Sequence, residues 1–177
     1  MWGDYPSADP PGRFEEESDL TIWIAIFLFL HVIGAIIAFG PSFLAFPTIG
    51  AMAGKEPQHA NFAARISETI GKRVEPFAIF QGITGVALIL LTGLNPFSQL
   101  WLGLGIVLYL IALGYSLAVQ VPTGRRIVEL TSTPPPPGAS GPPPELMAAV
   151  KRAQQGGMFL AVMVVAIVIL MVTKPTL

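Results

Sequence analysis

Four long apolar runs separated by polar segments dominate the pattern of the chain. They cover about residues 20–40, 76–93, 100–121 and 157–172. A helix rises about 1.5 Å per residue, so roughly 20 apolar residues are needed to cross a hydrocarbon core of about 30 Å. Backbone amides cannot stay unpaired in hydrocarbon, so each run, here called spans one to four, should be helical. The pattern therefore predicts an all-α, membrane-spanning antiparallel four-helix bundle within residues 20–177.

The positions of lysine and arginine predict the orientation of this bundle. Eight of them lie in the segments that join spans one to two and three to four: Lys55, Arg65, Lys72, Arg73, Arg125, Arg126, Lys151 and Arg152. The opposite side carries only Arg13 and Lys174. Because cytoplasmic loops retain positive charge, both termini are expected on the non-cytoplasmic side.

Three polar segments outside the spans differ in character. Residues 1–19 form an acidic, non-cytoplasmic tail. Residues 132–144 contain seven prolines, which favour extended polyproline conformation and predict a cytoplasmic linker. Residues 59–74 carry apolar side chains every four positions, at Phe62, Ile66 and Ile70. That segment is either a helix on the membrane surface or, as we favour, the start of span two continued through Pro76.

Composition agrees with a membrane protein and weakens other classes. The chain is 53% hydrophobic and 12% charged, about half the charged fraction of a soluble domain. A net charge of −1 disfavours a nucleic-acid partner, and no cysteine is present for a thiolate site. All eleven carboxylates lie outside the spans, so no buried acid and base pair is expected. A multi-pass location in a bacterial plasma membrane is expected, with the lipid bilayer as partner; whether the protein is an enzyme stays open.

One ionisable side chain lies inside a span. His31 is about eleven residues into span one, near the bilayer midplane. The residues that share its helical face are small: Gly34, Ala35, Ala38 and Ser42. Small residues let another helix approach, so His31 should face the bundle interior. Three roles are open: a structural histidine bonded to Tyr109 or Thr84, a cofactor or metal ligand, or a proton carrier.

Spans two and three also carry stripes of polar and small residues. On helical geometry Tyr109 lies about 14 Å and His31 about 16 Å from the outer edge, so the two should hydrogen-bond or share a cofactor. The remaining polar side chains predict a cavity open to the cytoplasm with His31 at its floor: Gln81, Thr84, Ser116 and Gln120. Span four has no polar side chain and should serve packing, with close contacts at Gly157 and Ala161.

The run from Phe29 to Phe43, FLHVIGAIIAFGPSF, resembles the opening of an uncharacterised bacterial family of four-span integral membrane proteins. Its Leu30-His31-Val32 start is remotely similar to the four-helix protoporphyrinogen oxidase family and to the membrane domain of copper-resistance protein D. In the oxidase family this histidine is implicated in haem binding, so the resemblance implies haem b on His31. That family pairs its histidine with a lysine in a later helix, and no lysine lies inside a span of this chain.

Three classes of function follow. The principal expectation is a non-enzymatic integral membrane protein, such as an accessory subunit that packs in a homo-oligomer or a larger membrane complex. The second is a haem-binding redox membrane protein that uses His31. The third is a small-molecule or ion permease, which would act as an oligomer because four helices with one ionisable group make a poor conduit.

Overall fold

The structure is a computed structural model that describes residues 13–133 and 141–175. Throughout these residues the regular elements are helices, which agrees with the all-α prediction. They are α1 (Arg13–Phe43), α2 (Ala45–Lys55), α3 (Ala60–Thr92), α4 (Leu100–Tyr115), α5 (Val121–Ser132) and α6 (Pro144–Thr173). A 3₁₀ turn, Pro57–His59, precedes α3, and a π-helical turn, Ser116–Gln120, joins α4 to α5. The acidic tail as far as residue 12 and residues 134–140 of the linker lie outside the described residues.

Four helical stretches of the described chain are long and apolar enough to cross a membrane. They are Ser18–Lys55, Pro57–Thr92, Leu100–Ser132 and Pro144–Thr173. Each contains one of the four predicted spans, apart from Gly93 at the end of span two, so the apolar pattern located the helices correctly. Each is longer than its span, because the helices continue into the segments that follow or precede the apolar runs.

The apolar sequence that continues after span one is divided between the end of α1 and the start of α2. Pro41 lies inside α1 and cannot donate a backbone hydrogen bond to the turn before it. The helix then ends at Phe43, and Leu44 has a non-helical backbone with φ −123° and ψ −54°. After α2, Glu56 has φ −127° and ψ 72°, because a residue before proline avoids the helical region.

Helix α3 joins the amphipathic segment to span two without interruption. It runs 33 residues from Ala60 to Thr92 with Pro76 inside it, as the longer-helix interpretation predicts. On its polar part Lys72 lies 2.9 Å from Glu68, one helical turn away. The helix ends at Gly93, whose φ of 66° is the left-handed conformation that glycine adopts without steric cost.

The π turn between α4 and α5 is next to Pro122. The backbone N–H of Val121 donates to the Ser116 carbonyl, five residues back, where an α-helix would use the residue four back. Pro122 lacks an N–H, and its ring would collide with the carbonyl of residue 118 in a regular α-helix. A wider turn before the proline relieves that collision, and α4 and α5 continue as one rod.

The helices pack as a ring of neighbours. Helix α1 packs on α3 along much of its length, α4 packs on α6, and α1 also reaches α6. Beyond the spans, α5 packs against both α3 and α6. Few apolar side chains are buried among the described residues, namely Ala38, Trp101, Leu102 and Ala112. Large apolar side chains remain exposed on every span, which suits a bundle whose solvent is lipid.

Candidate functional site

His31 lies at the contact between α1 and α3, half-buried and turned toward the neighbouring helix. Its Nδ1 atom is 2.8 Å from the hydroxyl oxygen of Thr84, which is completely buried. The inward orientation predicted for His31 is therefore what the structure shows. Of the two partners expected for a structural histidine, Thr84 is the one it contacts.

The hydrogen-bond network around Thr84 assigns the proton on the His31 ring. The Thr84 hydroxyl oxygen is 3.1 Å from the Phe80 carbonyl and 3.2 Å from the Gln81 carbonyl, and its single hydrogen is donated to these acceptors. With the hydroxyl hydrogen placed on these carbonyls, Thr84 accepts its bond from Nδ1–H of His31; this tautomer is assigned from the hydrogen-bond network. Nε2 keeps its lone pair and has no hydrogen-bond partner among the described residues.

Two glycines let the side chains of α1 and α3 interlock around this bond. A Cβ atom on Gly85 would lie 3.3 Å from Cε1 of His31, and one on Gly34 would lie 2.9 Å from Oε1 of Gln81. Gln81 is only 7% exposed, and its buried Oε1 atom has no hydrogen-bond partner. The small face predicted around His31 therefore accommodates Gln81 as well as the imidazole.

Tyr109, on α4, contacts α3 at a different place from His31. Its hydroxyl donates to the Ala78 carbonyl at 2.8 Å, and a Cβ atom on Gly82 would be 2.6 Å from the same hydroxyl. The expected bond between Tyr109 and His31 is absent from these contacts, because equal depth in the bilayer does not fix the direction in which a side chain leaves its helix. A shared cofactor role for the two residues stays a prediction.

A second polar cluster lies where the π turn meets α6. The Gln120 amide nitrogen donates to the Ala153 carbonyl at 3.0 Å, while its buried Oε1 atom has no partner. Gly156 is buried against this side chain, and a Cβ atom there would overlap Oε1 of Gln120 and lie 2.9 Å from the Tyr115 hydroxyl. A Cβ atom on Gly157 would lie 3.9 Å from its nearest neighbour. The close-contact glycine is therefore Gly156, and the prediction of Gly157 was wrong by one position.

The π turn explains why two side chains meet Gly156. Tyr115 and Gln120 are five residues apart, which would place them about 140° apart around a regular α-helix. The extra residue in the π turn brings them onto one face toward α6. The sequence feature that indicates this turn is Pro122, which follows it.

The residues predicted to line one cavity fall into two groups. Gln81 and Thr84 belong to the His31 contact, and Gln120 belongs to the Gly156 contact. Ser116 contributes its backbone carbonyl to the π turn. A separate open groove of about 360 Å³ lies on the polar half of α3, lined by Phe62, Arg65, Ile66, Thr69 and Ile70. Over residues 13–133 and 141–175, no group of three or more histidine or carboxylate side chains is placed to bind a metal ion.

The polar side chains inside the spans form a regular pattern of contacts between helices. His31 joins span one to span two through Thr84, and Tyr109 joins span three to span two through the Ala78 carbonyl. Gln120 joins the end of span three to the helix of span four through the Ala153 carbonyl. Each consecutive pair of spans therefore shares one polar contact.

Comparison with known families finds a match over most of the chain. The model of a family described as "Predicted integral membrane protein (DUF2269)" matches residues 25–175. The chain belongs to the DUF2269 family. The matched range contains span one from residue 25 onward, the other three spans and both polar clusters. Together with the four apolar helices it makes this DUF2269 member a multi-pass membrane protein. No curated protein matches the chain, and no solved structure matches it.

Proposed function

We propose that the protein is a non-enzymatic integral membrane protein, an accessory subunit whose inward polar side chains hold its own four helices together. The observation that supports this is the use of His31, Tyr109 and Gln120 for one contact between each consecutive pair of spans. Interhelical hydrogen bonds in membranes contribute about 0.6–1.7 kcal/mol each. In this role His31 serves as a hydrogen-bond donor.

The structural role of His31 is tested by two substitutions at the same position. In His31→Asn the side-chain amide can still donate to Thr84, whereas in His31→Leu that donor is lost. We expect the asparagine variant to unfold near the wild-type temperature in mild detergent and the leucine variant to unfold at a lower temperature. Equal loss in both variants would show that the imidazole itself is required and would contradict the proposal.

A second candidate function is haem binding through His31. The specific observation is the ring geometry: Nδ1 is held by Thr84 and Nε2 has a free lone pair, the arrangement typical of a ligating histidine. His31, oriented by Thr84, would hold the haem iron through its Nε2 atom. Haem would add redox chemistry at the bilayer midplane. An absorption spectrum of the purified protein decides: a Soret band that disappears in His31→Asn would replace the first proposal with this one.

We further propose an antiparallel bundle in a bacterial plasma membrane with both termini outside the cytoplasm. The support is the eight lysines and arginines in the two segments on one side of the spans. The chain has no cysteine, so single-cysteine variants can be labelled without background. In intact cells an impermeant maleimide should label Ser98→Cys at once and Thr133→Cys only after permeabilisation. The reverse result would invert the orientation.

The accessory-subunit role is tested by the size of the native assembly. In a mild detergent the protein should migrate well above the mass of its 18.9 kDa chain with the detergent belt subtracted. Light scattering combined with size exclusion measures this protein mass directly. A monodisperse single chain, extracted from its native membrane without added denaturant, would contradict an accessory role.

A further inference from the structure

Charge is unevenly distributed on the side of the bundle that carries the α2–α3 and α5–α6 connections. The residues beyond the spans on this side include eight lysines and arginines and five glutamates. An excess of lysine and arginine on one side is a general feature of membrane proteins and does not by itself indicate a binding site. The ion pairs among the described residues show which of these cations are left unneutralised.

Most of the glutamates on this side are already engaged. Lys72 lies 2.9 Å from Glu68, and Arg126 lies 3.2 Å from Glu129 and 3.0 Å from Glu145. Hydrogen bonds to Glu129 and then to Glu145 raise the pKa of the Arg126 guanidinium above its ordinary value. A further glutamate, Glu56, contacts His59.

Six exposed cations on this side have no ion pair among the described residues: Lys55, Arg65, Arg73, Arg125, Lys151 and Arg152. The last four lie within six residues of a span end and are here called the cationic belt. Arg73 is on α3, Arg125 is on α5, and the other two are on α6. Helix α5 packs against both α3 and α6, so the three helices that carry the belt are neighbours.

The belt lies at the depth of lipid headgroups. Its members are three to six residues beyond the span ends at residues 76, 121 and 157. At about 1.5 Å per residue this is about 5–9 Å outside the hydrocarbon edge. The headgroup layer on each side of a bilayer is about 5–8 Å thick.

Contacts between the helices hold the belt in a fixed arrangement. The Asn61 amide on α3 donates to the Val128 carbonyl and the Thr131 hydroxyl on α5, at 3.3 and 3.1 Å. The ion pair of Arg126 with Glu145 joins α5 to the first turn of α6. Unpaired cations on three connected helices at one depth form a surface complementary to several phosphate groups.

We propose that the cationic belt binds the headgroups of anionic phospholipids on this side of the membrane. A cation near a membrane surface attracts anionic lipids. Because the belt lies within the headgroup layer, its distance from the lipid phosphates is shorter than the distance over which salt screens a charge. Arg73 and Arg125 contribute from neighbouring helices, and the α6 pair extends the surface.

The experiment measures lipid retained by the full chain. The protein is reconstituted in vesicles of equal phosphatidylglycerol and phosphatidylcholine, extracted in mild detergent, and its bound lipids are quantified by native mass spectrometry. The wild type should retain phosphatidylglycerol preferentially. The double variant Arg73→Gln with Arg125→Gln should lower that preference by about fivefold for each cation removed.

The matched control removes the same charge from paired cations on the same helices. Lys72→Gln with Arg126→Gln should keep most of the preference, because these side chains are already neutralised by glutamates. Equal loss of preference in both double variants would show that only the net charge matters and would overturn the assignment to the belt. A wild-type protein that retains phosphatidylglycerol without preference would also overturn it. If the belt double variant does not fold, Arg73→Gln and Lys151→Gln are measured singly, each with the expected fivefold loss.

Discussion

Replacing Gly156 with alanine should destabilise the bundle because this position has no room for a side chain. The added Cβ would overlap the Gln120 side-chain oxygen and lie 2.9 Å from the Tyr115 hydroxyl and 3.2 Å from its Cε1 atom. Both side chains must move together. Overpacking of this kind costs about 1–3 kcal/mol. Displacing Gln120 also breaks its bond to the Ala153 carbonyl, worth about 0.6–1.7 kcal/mol.

We therefore expect Gly156→Ala to lower the free energy of unfolding by about 2–4 kcal/mol. The adjacent Gly157→Ala is the matched control, since its Cβ would meet its nearest neighbour at an ordinary 3.9 Å. Unfolding by a denaturing detergent, followed by tryptophan fluorescence, measures both. Adding Gln120→Ala to Gly156→Ala should recover part of the loss by removing one obstacle. If Gly157→Ala were as destabilising as Gly156→Ala, the placement of α6 against the π turn would be incorrect.

Three further substitutions test individual contacts by the same unfolding measurement. Thr84→Val should cost about 0.6–1.7 kcal/mol through loss of the His31 bond, whereas Thr84→Ser should keep most of the stability; equal values for the two would argue against that bond. Tyr109→Phe should cost a similar amount by removing the hydroxyl that donates to Ala78, and no change in stability would argue against that bond. Gly93→Ala should cost about 1–2 kcal/mol because φ is 66° there, and a neutral effect would be inconsistent with a left-handed helix end.

The helices could be predicted from sequence because hydrocarbon imposes a strong and simple constraint. An apolar run without charge has to be helical, and the continuation of α3 through Pro76 followed from its period of four. The inward orientation of His31 was also predictable, since an imidazole at the midplane avoids lipid and small residues share its face.

The details of the polar contacts could not be predicted from periodicity. The choice between Gly156 and Gly157 depends on a rotation of α6 by about 100°, which an apolar helix without a polar face does not reveal. The alignment of Tyr115 with Gln120 depends on the π turn, and regular helical arithmetic separates them. Tyr109 is predicted at the depth of His31 but reaches the Ala78 carbonyl of α3, whereas His31 contacts Thr84.

The pairing of consecutive spans has a consequence for synthesis at the ribosome. Thr84 reaches a partner that was translated before it, as Tyr109 does with Ala78, and Ala153 completes the contact begun by Gln120. Each newly inserted helix can therefore form a hydrogen bond with the preceding helix while translation continues at about 5–20 residues per second. Each of these three bonds can form once the next helix is inserted, so His31 and Tyr109 are paired before the last helix, α6, is made.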